Sequence, residues 1–208
     1  STATGNQTLT GSAEDDVLLG ASGIDAVSSG TGSDTIVTYG GDDVITIDGV
    51  GNKTIDRGTG TNTLSISYLG LNGLSDFSVG SVSTVEGANW TLTAPNDDVI
   101  SFKNIIDYTY TSGAAGYWDG YLSVASKIYR FVSDMRHDTS PFSGAYGSVQ
   151  AFVHKIGSAV EVVLPTGGKW LPQYRMHGYK DFALDGNETY SIFGSLGSEV
   201  IFGGYQAD

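Results

Sequence analysis

Aliphatic side chains recur along the first third of the chain at a nearly constant interval. Leu9, Leu18, Val27, Ile36, Ile45, Ile55 and Leu64 are separated by nine, nine, nine, nine, ten and nine residues. Two residues ahead of each stands a second column, Gln7, Asp16, Asp25, Asp34, Asp43, Lys53 and Asn62. Two ahead of that lies a third, Gly5, Glu14, Gly23, Gly32, Gly41, Gly51 and Gly60. Three columns in register are the signature of an internal repeat.

Each unit reads Gly-x-Asp-x-aliphatic-x followed by small residues. The alternation around the aliphatic residue predicts a short strand with one side chain pointing inward. The Gly and Asp predict a tight turn, because glycine accepts a positive φ and Asp bonds to nearby backbone. A strand and a turn every nine residues make half a turn of a right-handed coil, with aliphatics entering a thin core from alternate sides. Units eighteen residues apart then stack on one edge, placing Asp16 beside Asp34 and Asp25 beside Asp43.

Carboxylates stacked at about the 4.8 Å strand spacing repel each other unless a cation lies between them. Calcium is such a cation, taking about six to eight oxygens from carboxylates and carbonyls. The candidate ligands are Asp16, Asp25, Asp34 and Asp43, with Glu14, Asp42 and Asn62, and the turn positions Gly23, Gly32 and Gly41. So thin a core predicts that several calcium ions are coupled to folding. Gln7, Lys53 and Asn62 interrupt the Asp column, so the first and last turns are expected to bind weakly or not at all. Lys53 brings its own charge into the slot stacked on Asp34. The ten-residue unit around Asp48-Gly49-Val50 predicts a bulge.

The stretches Gly32-Ser33-Asp34-Thr35-Ile36 and Gly41-Asp42-Asp43-Val44-Ile45 resemble the RTX nonapeptide, which binds calcium in a parallel β-helix. The run from Thr10 to Gly20 is similar to the opening turn of an RTX block. The resemblance spans residues 5–65. It implies a calcium-binding β-roll in a bacterial protein exported by type I secretion, working outside the cell or on its surface. It further implies a module of a large adhesin with a peptide or glycan ligand. Fold alone does not fix that function.

Beyond Leu64 the nine-residue interval stops. Alternation in Trp90–Thr93 and Val99–Phe102 predicts further strands, and residues 66–112 read as a β flank closing the roll. Residues 113–185 differ in kind, holding all three histidines and seven of the ten basic residues. Aromatics also concentrate there, among them Tyr117, Trp118, Tyr121, Tyr129, Phe152, Trp170 and Tyr174. Tyr121, Leu122, Ala125, Ile128, Tyr129, Val132 and Met135 fall at three- and four-residue intervals, predicting one short helix within 118–136. Val149–Ile156 and Ala159–Leu164 read as strands joined by a turn. Residues 186–208 return to RTX-like units, with Glu188 and Glu199 in place of Asp. The expected architecture is therefore all-β, a parallel roll over 1–65 with an aromatic-rich insert.

Tyr, Trp and Arg are the residue types that dominate recognition surfaces. On that ground Trp118, Asp119, Tyr121, Arg136, Asp138, Tyr174 and Arg175 are the candidate ligand-binding residues. A purely structural or export roll, or an accessory module of a polysaccharide-modifying enzyme, are the alternatives. Catalysis has no local motif behind it. The chain has neither HExxH nor G-x-S-x-G, and the spacing of His137, His154 and His177 fits no metal motif.

Charge and composition narrow the partners. The 208 residues carry 23 acidic and 10 basic side chains, a formal net charge of −13. Such a surface repels a phosphate backbone, so nucleic acid is excluded as an expected partner. With 39% hydrophobic and 11% aromatic residues the chain can still bury a core, so the acid has a structural use. There is no cysteine for a disulfide or thiolate site. No apolar run approaches the roughly 20 residues of a membrane-spanning helix. The opening Ser-Thr-Ala-Thr-Gly carries no signal-peptide pattern, and the chain reads as a monomeric piece of a larger protein with neighbouring domains.

Overall fold

The repeat units fold as seven short strands. They are β1 (Thr8–Thr10), β2 (Val17–Leu19), β3 (Ala26–Ser28), β4 (Asp34–Val37), β5 (Val44–Ile47), β6 (Lys53–Asp56) and β7 (Thr63–Ile66). The computed structural model describes residues 4–68, 70–84, 87–103, 121–134, 149–166, 169–170, 189–194 and 200–201. Two compact units divide the chain. One holds Ser1–Asp107 with Trp118–Arg130, the other Tyr108–Tyr117 with Phe131–Asp208.

In the first unit successive strands alternate between two sheets. Odd-numbered strands pair in parallel, with Leu9 opposite Val27, Val27 opposite Ile45 and Ile45 opposite Leu64. Even-numbered strands do the same, with Leu18 opposite Ile36 and Ile36 opposite Ile55. Every aliphatic of the repeat thus meets its counterpart one full coil turn away, and Ile36, Ile45, Ile55 and Leu64 are completely buried. Burial of each contributes about 1.5–3 kcal/mol. The turn column explains its glycines. Gly32, Gly41, Gly51 and Gly60 all have φ between 103° and 124°, a region closed to most L side chains. A Cβ on Gly41 would also run into the carbonyl of Gly23 in the adjacent turn.

The nine-residue interval ends at β7, yet the stack continues with strands drawn from elsewhere in the sequence. A short 3-10 turn (Leu74–Asp76) leads into β8 (Ser78–Thr84), β9 (Gly87–Thr93) and β10 (Val99–Lys103). These three form an antiparallel meander, and β10 then lies parallel to β6 with Ile100 opposite Lys53 and Phe102 opposite Ile55. On the other sheet β11 (Tyr121–Val124) lies parallel to β7, with Leu122 opposite Leu64 and Val124 opposite Ile66. Ile100, Phe102, Leu122 and Val124 are all buried. The sheets are mixed, and the 3-10 turn is the one helical element among the described residues.

The helix expected within 118–136 is not formed over its described residues, 121–134. Tyr121–Val124 and β12 (Lys127–Asp134) make a hairpin instead, with Leu122 opposite Tyr129. Its two-residue turn has positive φ at Ala125 and Ser126, the backbone that matches the twist of paired strands. A helix would put Ile128 and Tyr129 on one apolar face. The strand puts them on opposite faces, leaving Ile128 55% exposed and Tyr129 fully buried. Pairing with β7 overrides the three- and four-residue spacing, because the hairpin satisfies that sheet edge and fills the end of the core.

The second unit is described as β13 (Val149–Ile156), β14 (Ala159–Val163), β15 (Lys169–Trp170), β16 (Thr189–Phe193) and β17 (Val200–Ile201). The predicted hairpin of β13 and β14 is present, with Phe152 opposite Val163. The strands of the returning repeat pair inside this unit, β16 with β14 and β17 with β15, both parallel. Ala151, Phe152, Val153, Val160, Val162 and Val163 form its buried core.

Tyr129 also closes a polar gap in the first unit, its hydroxyl accepting the backbone N–H of Leu74 at 2.9 Å. Tyr129→Phe should cost about 1–3 kcal/mol in denaturant unfolding, the penalty for leaving a buried donor unpaired.

Candidate metal-binding edges

The Asp column is inward-facing and buried at Asp25, Asp34 and Asp43. One coil edge therefore stacks Asp25 and Asp43 away from water, while the other pairs the buried Asp34 with the partly exposed Asp16. Backbone amides run between them. Gln7 N–H donates to Asp25 Oδ1 at 2.7 Å, Asp25 N–H to Asp43 Oδ1 at 2.8 Å, and Asp43 N–H to Asn62 Oδ1 at 2.8 Å. On the other edge Asp16 N–H donates to Asp34 Oδ1 at 3.0 Å. Asp25, Asp34 and Asp43 are thereby stitched to the turn eighteen residues before them, and Asn62 to the turn nineteen before it.

The residue preceding the Asp column makes a second ladder running the other way. Asn6 Oδ1 accepts from Ile24 N–H, Asp15 Oδ1 from Ser33 N–H, and Asp42 Oδ1 from Thr61 N–H, at 2.7–3.0 Å. Asn52 Oδ1 extends it to Val99 N–H at 2.9 Å. Asp42 thus caps a neighbouring turn from an exposed position, and Glu14 is exposed as well.

The second carboxylate oxygens set the column members apart. Asp16 Oδ2 accepts the Ser12 amide at 2.6 Å and its hydroxyl at 2.9 Å. Asp25 Oδ2 accepts the Ala21 amide at 2.7 Å. Asp34 Oδ2 faces Lys53 Nζ at 2.8 Å, with both side chains fully shielded from solvent. The same ammonium donates to the carbonyls of Gly32 at 2.5 Å and Val50 at 3.2 Å. All three ammonium hydrogens thus have an oxygen. Lys53 fills the slot its place in the column anticipates.

Asp43 Oδ2 is buried without a hydrogen-bond partner. The nearby Thr38 hydroxyl donates instead to the carbonyl of Arg57 at 3.1 Å. Arg57 itself is fully buried, and nothing in the repeat pattern marked it. Its guanidinium NH2 donates to the Asn62 carbonyl, and Asn62 Nδ2 returns a bond to the Arg57 carbonyl at 2.7 Å. Its Nε and NH1 have no partner. Burial pulls the guanidinium down to about 10, and the charge of Asp43 opposes that fall. Asn62 therefore serves as a neutral step in the ladder and a brace for Arg57.

Two further acids escaped the sequence reading. Asp48, the extra residue of the long unit, binds the Ser28 hydroxyl at 2.5 Å and the Gly30 amide at 2.9 Å. Asp98 Oδ2 gathers the Gly51 amide and Asn96 Nδ2, both at 2.8 Å, and the Tyr68 hydroxyl at 3.5 Å. Burial first, and then the Asp98 charge, push the Tyr68 hydroxyl up to about 12.

The residues fit a calcium ion on one part of the coil and not on another. Among the described residues no three acidic or histidine side chains converge on one point, so an ion must draw on turn carbonyls too. Among the described residues no basic side chain pairs with Asp16 or Asp25. At Asp34 the oxygen cage already holds an ammonium, and at Asp43 a buried guanidinium supplies positive charge. Of the candidate ligand-binding residues, Tyr121 begins β11, while Trp118, Asp119, Arg136, Asp138, Tyr174 and Arg175 lie outside the described residues. Tyr129 and Phe152, two of the aromatics concentrated in 113–185, are buried core side chains.

No family model matches the sequence, and no curated protein matches it. Among solved structures the chain is similar to the AlgE6R3 subunit of the mannuronan C5-epimerase from Azotobacter vinelandii. That similarity has 19% identity, covers 52% of this chain and 86% of that one, and has a TM-score of 0.29. At that score the likeness carries no argument about fold or activity. No helix of the described residues is long and apolar enough to cross a membrane.

Two measurements check the edge electrostatics. Lys53→Met should destabilise the first unit by about 3–5 kcal/mol, because it strands the Asp34 charge in the interior. Lys103→Met, which removes a partly exposed pair with Asp56 at 2.7 Å, should cost no more than about 1 kcal/mol.

Carboxyl NMR titration should find Asp16 below the ordinary value of 3.8, held there by the Ser12 amide and then its hydroxyl. Asp48 should also lie below it, because the Ser28 hydroxyl and Gly30 amide outweigh the upward push of burial. Asp43 should titrate above it, since burial outweighs the bond from the Asp25 amide. The stability that Asp16 and Asp48 contribute is present above pH 3.8 and lost as pH falls through their folded values. Asp43 acts in the opposite sense, its ionisation weakening the fold as pH rises through its folded value.

Proposed function

We propose that the chain is a calcium-binding, RTX-type β-roll module of a secreted protein, a cation-stiffened base for a ligand-binding segment within residues 113–185. The observation that carries this reading is the pair of registered acidic columns on the edges of a parallel coil. Asp16 and Asp25 supply the carboxylates, and the carbonyls of the glycine-rich turns supply the remaining oxygens that calcium needs. Calcium bound there draws adjacent turns together and neutralises part of the −13 charge. It also couples folding to the high calcium outside the cell. The coil end formed by β7 and β11 carries the first part of the aromatic-rich segment, so its stiffness is passed on to the hairpin. The ligand is a cell-surface peptide or glycan, matched to the Tyr, Trp and Arg content of that segment.

The burial of Tyr129 and Phe152 favours a second reading. In it the aromatics of 113–185 serve as core, and the module is a structural roll that spaces neighbouring domains or assists export.

Chelator-treated protein titrated with calcium and followed by calorimetry and circular dichroism should bind ions and gain β signal. Asp16→Asn and Asp25→Asn should weaken that binding. Indifference to calcium rules out the module as proposed. Binding to peptide or glycan arrays only when calcium is present selects the ligand-binding reading, and calcium uptake without any array binding selects the structural one.

A further inference from the structure

We propose that Lys53 and Arg57 are resident counterions that stand where a metal ion would otherwise lie, so that the turns from β4 to β7 hold without a divalent cation and admit none. The inference builds on the calcium reading only in what it says of metal exclusion; the internal counterion role stands on the geometry alone.

The Lys53 ammonium sits in an all-oxygen cage made of the Asp34 carboxylate and the carbonyls of Gly32 and Val50. Asp34 and Gly32 are oxygen donors that the repeat assigns to calcium. A cage of this size holds one cation, since an ammonium and a Ca²⁺ sharing it would repel at contact distance. Lys53 arrives there by covalent attachment, so no binding equilibrium has to be satisfied before the turn closes.

Arg57 does the corresponding task on the opposite edge from across the coil. It leaves the end of β6, is fully buried, and is tied reciprocally to Asn62, the residue stacked on Asp43. Its Nε and NH1 and the Asp43 Oδ2 are buried without a hydrogen-bond partner, and the Asp43 charge acts on the guanidinium without an ion pair between them. Burying either alone is strongly unfavourable. The column register shows the purpose of the pair. Down one edge the inward position reads Asp16, Asp34, Lys53 and then Ile100, passing from acid to base to hydrocarbon. The two cations are the transition piece between a coil held by charge and a coil held by apolar contact.

Hydrogen–deuterium exchange on the intact chain, in chelator and in millimolar calcium, tests this directly. The amides of β4 to β7 should be protected equally in both, with any gain in calcium confined to β1, β2 and β3. Protection of β4 to β7 that appears only with calcium overturns the proposal. If no strand responds to calcium, the calcium reading fails while equal protection still supports the counterions.

Lys53→Asp offers a second test by converting the cage to the repeat pattern. Its thermal midpoint in chelator should fall, calcium should restore it, and the variant should bind one ion more than the parent. Lys53→Met should fall without restoration. Wild-type midpoints for both variants in chelator, or a Lys53→Asp variant that calcium cannot restore, count against the exchange of ammonium for metal ion.

Discussion

The hydrogen bond from a backbone N–H to the carboxylate of the next coil turn is the interaction on which the rest of the first unit depends. It aligns Gln7, Asp25, Asp43 and Asn62 on one edge and Asp16 with Asp34 on the other. Once those positions are locked, the aliphatic two residues on has no freedom of register, because a slip of one residue would turn it to solvent. The price is a set of negative charges in a core only a few side chains wide. Other unusual features of the coil answer that charge, including the Lys53 cage, the buried Arg57 and the switch to Ile100.

Antiparallel additions complete what the repeat begins. A parallel stack ends with two unsatisfied sheet edges, which invite unwanted pairing. The β8–β9–β10 meander satisfies one, and the β11–β12 hairpin satisfies the other. Both additions bring apolar side chains to the interior, so no further counterion is required at that end. Asp98 joins the meander to the coil through the Gly51 amide, and Asn52 does so through Val99.

Much of this was legible in the residues. The columns around Leu9 to Leu64 fix strand positions, the two-sheet alternation and the eighteen-residue stacking, because each depends only on a short local period. Lys53 was also legible, since it stands in the Asp column itself. Arg57 was not, because it lies outside every column and acquires its role only when the turn after β6 folds back to bring it onto Asn62. The hairpin at Tyr121–Asp134 was misread for a related reason. Its apolar spacing suits a helix, and only the waiting edge of β7, where Leu64 stands 58 residues ahead of its partner Leu122, selects a strand. The role of Asp48 was half visible, as an irregularity in the interval without a hint of what it would bind.

The parallel stacking has a mechanical consequence. The hydrogen bonds between turns run along the coil axis, so a pull from end to end loads the successive junctions in series, and the chain of turns is as strong as its weakest joint. Junctions closed by lysine, arginine or hydrocarbon have fixed strength. In the proposed calcium-bound module, those at Asp16 and Asp25 have a strength set by the cations in the surrounding fluid. On that proposal the coil under tension is a tether whose compliance is concentrated at one end and adjusted by the medium, while the other end stays rigid.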